Sequence, residues 1–282
     1  MRSRWSDKEA AGFVARYGAE WGEPLALRTY SARLLGSEPT LVLHGGGNSS
    51  VKALWIDVFG EEISALFVKA SGADMATIEP SGHVALDLGH LLRLRTLSEL
   101  DDAQMVEQLR THLLRADSPT PSIEALVHAF LPGTFVDHTH ADAVLALTNR
   151  KDGEAVVEEA LGSEVAVLPY VTPGFDLALA TSIALKVHPR VRGLVCSHHG
   201  LITWGENARD SYEMMVDLVS HAESYLARNR TAYTVKAASP EKAAGRSGKA
   251  KTRRTQVRSG SEDRLAVTAA VLRGVLAERT GD

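Results

Sequence analysis

Apolar positions along the chain alternate between a spacing of three to four residues and a spacing of two, which divides the chain into helices and strands in turn. Residues 6 to 9, SDKE, fit a capping box in which the Ser6 hydroxyl accepts from the Glu9 backbone N–H, ahead of Ala10, Phe13, Val14 and Tyr17 at helical spacing. A second amphipathic stretch, PLALRTYSARLLG, ends at Gly36. The runs TLVLH (40–44), VKALWIDVF (51–59) and ALFVKAS (65–71) predict successive sheet strands. Helical periodicity returns over 101–115 and 122–130. GTFVDHTH (133–140) reads as a strand, and ADAVLALTN begins a helix. EVAVLPY, FDLALATSIALKV and VRGLVCS then predict strand, helix and strand, followed by a long helix from about Ala208 to Arg228.

From about Val235 the texture changes to small and basic residues that lack the large apolar side chains needed to bury a core. This divides the chain into a folded domain over 1–234, a flexible basic linker over 235–260 and an amphipathic helix over 261–282. The linker lacks the interleaved aromatics that a nucleic-acid tail would use for base stacking, and a solvated spacer is the simpler reading. The chain has 282 residues, 44% hydrophobic and 23% charged, ordinary globular values. A net charge of -4 and a pI near 6.3 give no general attraction to nucleic acid or membrane. No segment approaches the roughly 20 apolar residues of a membrane helix. The single cysteine, Cys196, cannot form an internal disulfide, which points to a reducing, cytoplasmic compartment.

Candidate chemistry lies at five places. His138 and His140 are two apart on an expected strand, so both side chains project to one face, where they could ligate one cation or simply be a hydrogen-bonded surface pair. His198 and His199 end the apolar run VRGLVC. Neighbours on a strand face opposite ways, so one of the two would join the first pair, and His199 is favoured because the adjacent Gly200 permits close approach. Three imidazoles leave a coordination position open, as a catalytic zinc requires. Glu124 follows Pro121 and Ser122 at an expected helix start, where it could serve the helix dipole. Beside a metal that polarises a carbonyl, it would instead be the base that moves the adjacent C–H proton. His128 shares the helix face of Glu124 and reads as a hydrogen-bonded core histidine.

The remaining places are loops. HGGGNSSVK (44–52) sets three glycines between strands, either as a plain turn or as a nest of N–H groups for an anion, with Asn48, Ser49 and Ser50 adding donors. It is not a nucleotide loop, since Lys52 comes late and a strand follows. KASGADM (69–75) supplies Ser71 and Gly72 after another strand, and two such loops favour an oxyanion or phosphate pocket.

The ordered set GGGNSS, KASG, PSIE, DHTH and HHG resembles the class II aldolase/adducin family over roughly residues 5 to 228. Longer stretches, LVLHGGGNSSVK, ATIEPSG and HAFLPGTFVDHTHADAVLALTN among them, are most similar to the aldolase portion of bifunctional rhamnulose-1-phosphate aldolase/lactaldehyde dehydrogenases, whose dehydrogenase part has no counterpart here. The resemblance implies a three-layer α/β/α sandwich with a mainly antiparallel central sheet. It also implies a homotetramer and a sugar-phosphate substrate cleaved with a divalent metal, zinc first among candidates. His138, His140 and His199 would be the metal ligands, Glu124 the acid/base, and Gly46, Gly47, Asn48, Ser49, Ser71, Gly72 and Ser122 the substrate and phosphate contacts. Ile123 stands where the family often has a second hydroxyl. A 4-epimerase, a dehydratase or an adducin-like binding module are the alternatives within the same family.

Overall fold

The structure, a computed structural model, describes residues 1–229. The expected linker over 235–260, the helix over 261–282 and the last residues of the expected 1–234 domain lie outside the described residues. Helix α1 (Asp7–Trp21) starts at the expected cap, with the Ser6 hydroxyl accepting from the Glu9 N–H, and α2 (Glu23–Gly36) follows with a proline in its first turn. The central elements are β1 (Asn48–Ile56), β2 (Glu62–Lys69), β3 (His83–Asp87), α3 (Leu88–Leu94), α4 (Asp102–Thr111), α5 (Ala125–Phe130) and β4 (Phe135–Thr139). Then come α6 (Asp142–Thr148), α7 (Gly153–Leu161), β5 (Val165–Leu168), α8 (Phe175–Val187), β6 (Gly193–Cys196), β7 (Gly200–Gly205) and α9 (Ala208–Arg228).

The strands form one sheet in the order β3-β2-β1-β4-β7-β6-β5, antiparallel at every junction except β5–β6. The period of two distributes its side chains between two cores. Leu66, Val68, Val136, Leu194 and Ile202 pack with α3, α4, α5 and α8 on one face. On the other face Val195 and Leu201 pack with α1, α2, α6, α7 and α9, and Val51, Phe67 and Phe135 continue that layer beside Leu25. The result is the expected three-layer α/β/α sandwich with a mainly antiparallel sheet.

Several local expectations need correction. TLVLH is not a strand: the Leu41 and Val42 N–H groups both donate to the Glu38 carbonyl, Gly46 N–H donates to Leu43 O, and His44 adopts a φ of 51°. Its Leu41 and Val42 are buried within a turn, so their apolar character reflects burial without sheet pairing. Strand β1 begins at Asn48, earlier than expected, and takes Ser49 and Ser50 out of the glycine loop into the ladder. The expected helix over 122–130 starts at Ala125, with Glu124 as its N-cap residue. The one over 101–115 is α4, closed by a reciprocal capping box between Asp101 and Gln104. Four elements, β3, α3, α7 and β7, had no expectation. The two strands are short, and each is held by neighbours, β3 by β2 and β7 by β4 and β6. Among the described residues no helix is long and apolar enough to cross a membrane.

Candidate active site

Strand β4 runs through the middle of the sheet, with Asn48 of β1 paired to His138 on one side and Ile202 of β7 on the other. His138 is 1% exposed. Its Nδ1 lies 3.1 Å from the Leu201 carbonyl oxygen, which can only accept, so Nδ1 carries the proton and Nε2 presents a lone pair. His140 lies just beyond the strand end, its Nε2 3.1 Å from that of His138. His199 comes from the β6–β7 turn, where His198 at a φ of 60° swings the two neighbours apart. His198 faces outward to the Asn149 side-chain oxygen at 2.9 Å, and His199 faces inward.

One ring nitrogen from each of His138, His140 and His199 lies within 4.8 Å of the others. Tetrahedral ligands about 2.0–2.1 Å from zinc stand about 3.4 Å apart, so the His138–His140 spacing is close to that of two imidazoles sharing a cation. Burial and the adjacent His138 and His199 push the His140 imidazole down to about 4, and burial lowers His199 as well. Both are therefore neutral near pH 7, the form that coordinates. The residues present fit a divalent metal.

Glu124 is 7% exposed at the head of α5. Its Oε1 is 3.3 Å from His199 Nε2 and its Oε2 is 3.6 Å from His138 Nε2. Burial pushes the carboxyl up, but the positive charge of His138 and His199 in their protonated forms, which a bound cation would supply in their place, and a 2.6 Å hydrogen bond from Asn48 Nδ2 outweigh it and hold the group below the usual range. Oε1 is buried and accepts no hydrogen bond. An ionised oxygen left bare beside three converging imidazoles is what an acid/base or a further ligand requires.

The glycine loops close around this cluster because they have no side chains to obstruct it. A Cβ on Gly47, whose φ is 60°, would stand 2.8 Å from the His138 carbonyl oxygen, and one on Gly46 3.7 Å from His140 Nδ1. Gly45 meets the Gly72 backbone at 3.1 Å by the same measure, so the two loops touch. Ser71 N–H donates to Thr120 O and Ser122 N–H to Lys69 O, which joins the second loop to the segment carrying Glu124. Ser122 Oγ accepts from Asn48 Nδ2 at 3.2 Å and from the Glu124 N–H. The structure thus gathers Gly46, Gly47, Asn48, Ser71, Gly72 and Ser122 around Glu124 and the three histidines.

Ser49 is not brought there. Strand alternation turns it to the opposite face, where its hydroxyl meets His83 Nε2 at 3.2 Å. Lys69, which sequence reasoning missed, is buried and donates to the carbonyls of Gly45, at 3.0 Å, and Ala73, at 2.8 Å, clamping both loops. Its place in KASG, at the end of a strand between two glycine loops, was the available signal. Also missed was the ion pair of Arg28 with Asp137, both fully buried behind β4 at 2.6 Å. That contact is electrostatic and not an aligned hydrogen bond, since Asp137 Oδ1 has no hydrogen-bond partner.

Residues 29–226 match the model of the Class II Aldolase and Adducin N-terminal domain, which is well over half the chain. The chain belongs to the class II aldolase/adducin family. A family member of known structure, the N-terminal class II aldolase domain of a conserved protein from Thermoplasma acidophilum, is 35% identical, with a TM-score of 0.71 over 80% of this chain and 99% of that one. A sugar-phosphate aldolase from Thermotoga maritima shares the fold at 16% identity, with a TM-score of 0.55 over 73% of this chain and 95% of that one. The curated relative "Uncharacterized oxidoreductase YuxG" of Bacillus subtilis (strain 168) is 35% identical over 197 residues, 70% of this class II aldolase/adducin chain. The chain spans only 29% of the length of that relative.

Proposed function

We propose that the protein is a metal-dependent aldehyde-lyase that cleaves L-rhamnulose 1-phosphate, or a close ketose 1-phosphate, to dihydroxyacetone phosphate and L-lactaldehyde. The observation that carries this reading is the bare Oε1 of Glu124, 3.3 Å from His199 within the three-histidine cluster. His138, His140 and His199 would hold the cation, zinc by preference, which supplies Lewis-acid stabilisation of negative charge developing on the ketose oxygens. As the C3–C4 bond breaks, the C4 hydroxyl gives up its proton to become the aldehyde and C3 keeps the electron pair; the Glu124 carboxylate takes up a proton at Oε1 and passes it to C3, and in the synthetic direction it removes that C3 proton. Backbone N–H groups of Gly47 and Gly72, with the hydroxyls of Ser71 and Ser122, orient the phosphate end and so fix the reacting carbons, while Gly46, whose N–H donates to Leu43 O, and Asn48, whose amide is engaged by Glu124 and Ser122, shape the loop around it. Ser49, facing away, takes no part in this.

The protein would act as a cytoplasmic homotetramer, which light scattering of the purified chain tests directly. For the activity, the test is product analysis with L-rhamnulose 1-phosphate and added zinc, with and without chelator. Free lactaldehyde that disappears with chelator supports the lyase. An epimeric phosphate without free aldehyde, a dehydrated product, or no turnover by zinc-loaded protein would each overturn it.

A further inference from the structure

Behind Glu124 runs a closed line of hydrogen bonds in which every polarity can be worked out. Glu124 Oε2, on an ionised carboxylate, can only accept, so the Asn48 atom 2.6 Å away is Nδ2. Nδ2 also donates to Ser122 Oγ. Asn48 Oδ1 therefore points the other way, to His128 Nε2, which must carry the ring proton to reach it. His128 Nδ1 is left as an acceptor for the Ser50 hydroxyl at 2.7 Å. Asn48, Ser50 and His128 are each 3% exposed or less, so bulk water does not reach these positions.

A second wiring is self-consistent on the histidine side alone. With the Asn48 amide inverted, Nδ2 would donate to an unprotonated His128 Nε2, and Nδ1–H would donate to Ser50. That arrangement sets Asn48 Oδ1 against the Glu124 carboxylate, two acceptors in contact with no proton between them. The two oxygens that face one end of the Asn48 amide, Glu124 Oε2 and Ser122 Oγ, match its two N–H groups and select the first wiring, and His128 locks it by supplying a donor where Oδ1 needs one. Burial keeps His128 neutral, its imidazole pushed down to about 3, so the ring has a single proton to place.

We propose that His128 is a positioning residue: as the Nε2–H tautomer it fixes the orientation of the Asn48 amide, which ties down Glu124 Oε2 and leaves Oε1, beside His199, as the oxygen free of hydrogen bonds. His128 touches neither substrate nor ligand set and acts only through Asn48. The part of this that concerns turnover rests on the reading of Glu124 as the acid/base.

The test uses the full chain with zinc, labelled with 15N. Long-range proton–nitrogen spectra of the histidine rings, with the His128 signals assigned from their loss in His128→Gln, are expected to show Nε2 protonated and Nδ1 bare. The Asn48 side-chain NH2 signals should move in His128→Leu and return towards their original positions in His128→Gln, whose amide N–H can serve Oδ1. With rhamnulose 1-phosphate, His128→Leu should lose roughly 10- to 100-fold in kcat with KM and zinc content little changed, and His128→Gln should recover most of it. A proton on Nδ1, unmoved Asn48 signals in a folded His128→Leu, or a kcat equal to wild type in that variant would overturn the proposal. If the wild-type protein cleaves no ketose 1-phosphate, the lyase reading fails, and the spectra still decide the wiring.

Discussion

At the scale of single residues, the site separates holding a cation from moving a proton. Glu124→Gln keeps the size of the side chain and an oxygen to accept from Asn48 but loses the base. It is expected to retain zinc, measured by elemental analysis, and to lose about 10²- to 10⁴-fold in turnover. His138→Ala should lose both. Full-rate cleavage by the Gln variant would remove Glu124 from its role. A different residue contributes to acid stability. Burial, then the charges of Arg28 and Lys69, push the His83 imidazole down to about 3, against 6.5 when unfolded. Between those values the unfolded chain binds more protons than the folded one, so stability present above pH 6.5 is lost as pH falls towards 3. His83→Leu should flatten this slope, read from urea midpoints at pH 7 and 4.5. An undiminished pH dependence would show that other groups carry it.

At the scale of elements, two contacts decide whether the histidines meet. The β6–β7 turn can deliver His199 only because Gly200 lacks a Cβ. An added methyl would collide with the Thr139 carbonyl oxygen and lie 3.0 Å from His138 Cε1 and 3.2 Å from His140 Cδ2. Gly200→Ala is therefore expected to weaken zinc binding at least about tenfold in competition with a chromophoric chelator, and unchanged affinity would contradict the close approach. Behind the same strand, the Arg28–Asp137 pair ties α2 to β4, with Ser211 of α9 donating to Asp137 at 2.5 Å. Arg28→Met leaves a buried carboxylate without its counter-charge, which costs about 3–5 kcal/mol. Denaturant unfolding measures this, and a loss under 1 kcal/mol would mean that the carboxylate is neutral or solvated.

At the scale of the molecule, the metal is expected to stabilise a fold that exists without it, since both cores are built from apolar side chains and include none of the ligands. Zinc at 100 times its dissociation constant adds about 2.7 kcal/mol, or roughly 5–11 °C in Tm at this size. Chelator should reverse the shift without changing the far-ultraviolet circular dichroism, and His138→Ala should not show it. A chain that unfolds on chelation would make the site structural. Much of this was written in the sequence. Repeating apolar periods set the alternation of helix and strand, and the β-strand period alone puts His138 and His140 on one side, because both signals depend on neighbours a few residues away. What the sequence could not decide depends on residues far apart in the chain. The turn at TLVLH has the composition of a strand but no pairing partner, and Ser49 faces away because β1 begins at Asn48. The pairing of β1 and β7 with β4 sets Asn48 and the Leu201 carbonyl against His138, and places Arg28 and His128 behind the site. Hydrophobic pattern fixes which side of an element is buried, whereas strand order and register fix what it is buried against, and the chemistry of this site resides in the second.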